Sequence, residues 1–309
     1  MKSCPLCSMS HASYERTIDQ IDLIKCGKCH FVYANLDEDQ IRFANSACNE
    51  TFASEQKEKQ SFIDAVWFEL IAKKIKKEVS HGKILDIGCG NGVLLKHFLG
   101  PQWEAHGLDF SPWAVEFAQL YGYKLINCEL EKADFPNAYF DVITSTSTLE
   151  HIPNPLPHIR KIIELLAPGG LAYFSGIPNY GSLSVKLNMS SFYQNNPPKH
   201  VNYFTYHTLS QLFDHPEISK DIECLRIYSY GIPELHRAYH LVRNVFQKIN
   251  LESSEHPTKP ETSGALSEKE RAQSPLMKRF IMLMLIVFYY GPGTLFHLGD
   301  KLQVIVKRK

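Results

Sequence analysis

Between residues 83 and 177 the apolar positions fall into two alternating patterns: short continuous runs, and segments that step by three or four residues. The runs predict strands over 83–88, 104–109, 123–127, 140–145 and 171–177, and the stepped segments predict helices over 92–100, 111–121 and 155–167. Ser111 followed by Pro112 reads as a helix start, with a serine cap and proline in the first turn. Pro168-Gly169-Gly170 reads as the stop of the 155–167 helix. Alternation at this spacing implies an α/β, doubly wound, mostly parallel sheet with right-handed crossovers. Upstream, Phe62, Val66, Leu70, Ile71, Ile75 and Val79 mark one face of a helix over 55–79, with Lys73, Lys74, Lys76 and Lys77 as a solvated face. Downstream, a helix over 205–215 and strands over 222–230 and 302–306 follow, the last an antiparallel strand that completes the sheet.

These patterns divide the chain into a cysteine-bearing module at 1–35, a connector and leading helix at 36–80, a core at 81–235, and a helical insertion at 236–309 that carries the final strand. Residues 250–275, rich in Ser, Glu, Pro and Thr, predict a mobile loop. The longest apolar run, Phe280 to Tyr290, has eleven residues, against about 20 for a spanning helix, so no transmembrane helix is expected. Residues 276–290 read as a buried helix. The sharper reading is a peripheral membrane contact, because Lys278 and Arg279 precede the run and aromatics close it.

Composition narrows the partners. Lys+Arg and Asp+Glu are both 33, giving zero net charge, which argues against a broad phosphate-binding surface and so against nucleic acid. The N-terminus lacks the apolar stretch of a signal peptide, and most of the eight cysteines suit a reducing cytoplasm. Four of them form Cys4-x-x-Cys7 and Cys26-x-x-Cys29 with eighteen residues between the pairs. That spacing fits a four-thiolate zinc site, closed to water and therefore structural. A redox pair is the rival reading, and His30 reads as a bystander.

The first strand of the core runs into Asp86-Ile-Gly88-Cys-Gly90-Asn-Gly92. Glycines there let backbone N–H groups approach a ligand, while an acid at the strand end favours a cation over a pyrophosphate. The next strand ends at Asp109, placed to accept hydrogen bonds from ribose hydroxyls, and the third ends near Glu129, placed to meet an exocyclic amine. The implied ligand has an amine, a ribose and an adenine.

In order, ILDIGCGNG, GLDFSP, ADFPNAYFDVI, LEHIPNP and LAPGGLAYF resemble the motifs of class I S-adenosylmethionine-dependent methyltransferases. The resemblance implies a Rossmann-like sheet, preceded here by a small zinc ribbon. It also implies roles: Asp86 at the methionine amine, Gly88 and Gly90 beside the methionine, Asp109 at the ribose, Phe110 on the adenine, and Glu129 with Leu130 at the adenine edge. The ribbon and the segment Pro197-Pro-Lys-His200-Val-Asn-Tyr-Phe-Thr205 resemble a subfamily linked to glycan or other small-molecule modification. A small-molecule or glycan acceptor methylated at oxygen is the expectation. An RNA base methyltransferase and a non-catalytic cofactor-binding protein are the alternatives. His200 and His151 are the candidate general bases, while Glu150 reads as a helix-capping acid. Tyr180, Phe192 and Tyr203 are candidate pocket-lining rings.

Overall fold

The computed structural model describes residues 3–37, 39–41, 43, 62–186, 197–231 and 297–309. Phe192, the 250–275 loop and the 276–290 segment, each singled out above, lie outside the described residues. Among the described residues no helix is long and apolar enough to cross a membrane.

The ribbon consists of β1 (Ala12–Ile18), β2 (Ile21–Cys26) and β3 (Val32–Ala34). Helix α1 (Phe62–Glu78) leads into β4 (Gly82–Ile87), β5 (Trp103–Leu108), α2 (Ala114–Tyr121), β6 (Lys124–Ile126) and β7 (Phe140–Thr146). Helix α3 (Pro155–Leu165) then runs directly into β8 (Leu166–Pro178). After β9 (Asn202–Tyr203) come α4 (Tyr206–Phe213), β10 (Ile222–Tyr230) and β11 (Lys301–Arg308).

The larger sheet has the order β10-β11-β8-β7-β4-β5-β6. Its β6, β5, β4, β7 and β8 strands are parallel, and β11 pairs antiparallel with both β8 and β10. As expected, the last strand is the antiparallel one; it is inserted between β8 and β10, so that β10 runs parallel to β8. Its Leu302, Val304 and Val306 are buried, each worth about 1.5–3 kcal/mol of transfer free energy. Ile71, Ala72 and Ile75 of α1 pack on one face of the sheet with Leu94, Leu95 and Phe98. The opposite face takes Ile159, Ile162 and Ile163 of α3 and Leu209, Leu212 and Phe213 of α4.

Several local expectations are corrected. The 92–100 segment holds only a 3-10 turn at Leu95–Phe98. Helix α2 starts at Ala114, not at a Ser111 cap: Ser111 and Pro112 form the turn before it, accepting from the Ala114 and Val115 N–H groups at 3.1 and 3.3 Å, and Trp113 stands at the cap position with no side-chain bond. Helix α3 ends at Leu165, and Pro168-Gly169-Gly170 already belongs to β8, where Val142↔Leu171 begins the regular pairing with β7. Lys74 is not a solvated lysine: its Nζ donates to Tyr228 Oη at 2.8 Å, and burial brings it down to about 8.

The ribbon is joined to the core by backbone. A four-stranded sheet has the order β1-β2-β3-β9, with Val32↔Tyr203 and Tyr33↔Asn202 as partners. The Ala34 N–H also donates to Val201 O at 2.9 Å. The segment after β8 is thus the fourth strand of the ribbon.

Candidate active site

The glycine turn is tied to both central strands. Gly88 N–H donates to Leu108 O at 2.7 Å, stitching the end of β4 to the end of β5. Gly88 has φ +72°, and a Cβ there would lie 2.6 Å from Thr148 Oγ1. Gly92 has φ +66°, and a Cβ there would lie 2.6 Å from the Tyr123 hydroxyl. Any side chain at either position would be strained and would collide, so glycine is required by geometry as well as by backbone angle.

Asp86 is 3% exposed. Its Oδ1 accepts from Thr144 Oγ1 at 2.7 Å. Burial pushes its carboxyl up to about 7, the Thr144 bond opposes that, and the nearby Asp109 charge adds to it. Asp109 is held by backbone: Gly90 N–H donates to Oδ2 and Ser111 N–H to Oδ1, both at 2.8 Å. Each carboxylate oxygen keeps a lone pair for a further donor. Beside it Phe110 is 45% exposed, an apolar ring turned out where a flat ligand could cover it.

Asn127 is a site residue that pattern reading missed. Its Nδ2 donates to Asp109 O at 2.8 Å and to Ser111 O at 3.0 Å, clamping the Asp109-Phe110-Ser111 bend. An amide at the end of an otherwise apolar strand was the available signal. Glu129 pairs with Lys132 at 2.8 Å, an exposed contact worth well under ~1 kcal/mol and readily exchanged. Leu130 next to it is buried.

The turn after β7 carries Glu150 and His151, and the segment before β9 carries His200. The structure brings the three together: one ligand atom from each lies within 4.8 Å of the others. The two imidazoles meet edge to face at 4.9 Å between centroids. His151 Nδ1 lies 2.7 Å from Lys199 O. A carbonyl only accepts, so Nδ1 carries the proton and Nε2 the lone pair. Burial lowers the His151 pKa, which keeps the ring neutral. Glu150 does not cap a helix: neither the 149–151 turn nor α3 has a side-chain cap. Instead the Glu150 carboxyl is 2% exposed, Oε2 has no hydrogen-bond partner, and burial raises it to about 8.

Asn202, also unforeseen, fixes this arrangement. Its Nδ2 donates to Ile152 O at 2.6 Å and to Leu149 O at 3.2 Å, while Val201 N–H donates to Glu150 O at 2.8 Å. Tyr203 gives its hydroxyl to His200 O at 3.0 Å, and its ring meets Tyr180 at 5.5 Å, so both tyrosines brace the loop. In the ribbon, Cys4 and Cys29 sulfurs are 3.5 Å apart, as are those of Cys7 and Cys26, and all four lie within 4.8 Å. A tetrahedral thiolate site needs sulfurs about 3.8 Å apart, so the four residues fit a metal ion.

Strand order, glycine turn and strand-end acids define the fold of class I, S-adenosylmethionine-dependent methyltransferases. A family described as "Methyltransferase domain" matches residues 59–215, about half the chain, and the chain belongs to that family. Two relatives share the name ubiquinone biosynthesis O-methyltransferase. The one from Thiobacillus denitrificans is 37% identical over 100 residues, 30% of this chain and 43% of the relative. The one from Proteus mirabilis is 35% identical over 103 residues, 31% and 42% of the two chains. The chain thus spans less than half the length of the curated relatives it matches. Solved structures agree on the fold. A Thermotoga maritima methyltransferase, described as a possible histamine N-methyltransferase, aligns with TM-score 0.50 at 14% identity, over 85% of this chain and 99% of its own. The Burkholderia thailandensis 1,6-didemethyltoxoflavin-N1-methyltransferase, solved with S-adenosylhomocysteine, aligns with TM-score 0.50 at 14% identity, over 96% and 99%.

Proposed function

We propose that the protein transfers a methyl group from S-adenosylmethionine to a hydroxyl oxygen of a small-molecule or glycan acceptor. The observation that carries the reading is the pair of buried acids, Asp86 and Asp109, at neighbouring strand ends, the second held by the Gly90 amide. In this reading Asp86 holds the cofactor's ammonium group and the Gly88–Gly90 backbone lies along its methionine part. Asp109 accepts from the ribose hydroxyls, Phe110 covers the adenine, and Glu129 and Leu130 border its edge. When bound, the cofactor supplies an electrophilic methyl on a sulfonium. The protein's own task is alignment and removal of the acceptor proton. His151 and His200 stand at the acceptor side, on loops beyond the carboxyl edge of the sheet, where they can assist the loss of that proton.

The names of the relatives support an oxygen acceptor, and zero net charge disfavours RNA. The four cysteines hold a structural zinc, whose shell they complete without water. None of the described cysteines is in a disulfide, in keeping with a reducing, cytoplasmic setting. The test is S-adenosylhomocysteine release by purified protein against phenols, nucleotide sugars and lipid-linked glycans, with calorimetric titration of S-adenosylmethionine alongside. Turnover with a hydroxyl acceptor is expected. Absence of cofactor binding would overturn the reading.

A further inference from the structure

We propose that Glu150, His151 and His200 bind a divalent cation at the acceptor side of the site, separate from the ribbon metal. The inference rests on the methyltransferase reading and deepens it, by naming how the acceptor hydroxyl is activated.

Three observations carry it. First, two imidazole nitrogens and a carboxylate oxygen from segments about fifty residues apart converge within 4.8 Å. Two histidines and one carboxylate form a donor set for zinc, manganese or iron(II), and a three-residue set leaves coordination positions for other ligands. Second, the orientation of His151 is that of a metal ligand: its Nδ1–H donates to a backbone carbonyl, Lys199 O, at 2.7 Å. Such a bond fixes the tautomer and presents Nε2 outward, as ligating histidines almost always do. Third, Glu150 is a buried acid with an Oε2 that no hydrogen bond satisfies, and none of the ion pairs among described residues includes it. Left alone, such a group costs stability. A dication in the cluster gives that carboxylate a counter-charge.

The cluster is also held rigid before any ion arrives. Val201 N–H to Glu150 O at 2.8 Å, and Asn202 Nδ2 to Ile152 O at 2.6 Å, lock the His200 strand onto the Glu150 turn. Ligand positions set by backbone hydrogen bonds cost little to organise on binding.

The chemistry balances without a redox partner. The acceptor hydroxyl coordinates the cation, its O–H bond breaks, and the proton passes to water. The oxygen lone pair forms the C–O bond as the methyl C–S bond breaks, and that bonding pair stays on sulfur. His151 and His200 then act as ligands rather than as the proton's destination, and the cation supplies the acidity.

The test uses the full chain loaded with zinc in its ribbon. Titration with Mn2+, followed by electron paramagnetic resonance, reads the second site, because manganese prefers N and O donors to thiolates. One bound Mn2+ per chain is expected. Glu150→Gln and His200→Ala should each weaken it by about tenfold or more, while elemental analysis still finds the ribbon zinc. Calorimetry with S-adenosylmethionine on the same variants should show cofactor affinity within about threefold of wild type. No Mn2+ binding by the wild type, or unchanged binding in both variants, overturns the cation site and leaves the methyltransferase reading standing. Cation binding with no cofactor binding has the opposite effect. Glu150→Gln removes a buried acid without changing its shape, so it keeps the test sound should His200→Ala misfold.

Discussion

Replacing Asp86 with Asn should stabilise the cofactor-free protein and at the same time weaken its hold on the cofactor. The Asp86 carboxyl has an ordinary value of 3.8 and stands at about 7 in the fold. Its charged form is thus penalised by folding. Below about pH 3.8 the acid is neutral in both states and there is no penalty. Between there and about pH 7 the unfolded chain ionises first, and stability falls as pH rises. At ~1.4 kcal/mol per unit the full penalty above pH 7 is about 4 kcal/mol, and at pH 5 about 2 kcal/mol. Asn keeps an acceptor for Thr144 Oγ1, the bond seen at 2.7 Å, but brings two N–H donors that cost about 1–3 kcal/mol if unmet. The net gain at pH 8 is then about 1–3 kcal/mol. The difference between the gain at pH 8 and the gain at pH 5 is about 2–3 kcal/mol, and the cost of the new donors cancels from it. Urea unfolding of both proteins at the two pH values measures this directly. Equal stability changes at pH 5 and pH 8 would refute the burial argument. Calorimetry at pH 8 should show S-adenosylmethionine affinity falling by tenfold or more, since the ammonium loses its counter-charge.

Other perturbations probe the remaining parts. Gly88→Ala forces a side chain into φ +72° and against Thr148 Oγ1. A stability loss of about 1–3 kcal/mol and loss of cofactor binding are expected by thermal unfolding and calorimetry. Asn127→Ala removes both clamps on the Asp109 bend. At about 1 kcal/mol each, cofactor affinity should fall about tenfold or more, although Asn127 is assigned no contact with the ligand. Cys26→Ser should release the ribbon metal and raise hydrogen exchange at residues 200–203, because β3 is the ladder partner of β9. Turnover should fall while cofactor affinity changes less than about threefold. Unchanged exchange at 200–203 would show that the ribbon does not brace the loop.

The Cys26→Ser experiment addresses a joint that links the extra module to the proposed site. The path runs from the ribbon's β3 through β9 to the Glu150 turn by main-chain bonds and one amide side chain. In the proposed reading a ribbon built this way forms part of the acceptor-side wall. A metal bound by the four cysteines would therefore bear on where His200 stands.

The amino-acid sequence by itself determined the parts set by local chemistry. Alternating apolar runs specified the parallel strands, and three glycines beside an acid specified the turn after β4, because only glycine tolerates those angles. Paired cysteines at fixed spacing specified the convergence of four sulfurs in the ribbon. Element edges were less legible: Pro168-Gly169-Gly170 lies inside β8 as an irregularity between the Phe140↔Leu166 and Val142↔Leu171 pairs, with Gly169 at φ +78°, so the local signal to turn survives within the strand. Only the tertiary structure decided what Glu150 does. In the sequence it precedes a helix and reads as a cap. In the fold it is buried, uncapping, and beside two histidines, one of them fifty residues away. Asn202 was unreadable for the same reason, and Asn127 showed only as an amide after an apolar strand, since the carbonyls they bind lie on other segments. Period and spacing record which face of its own element a residue occupies. They carry no record of which distant segment the folded chain lays against it.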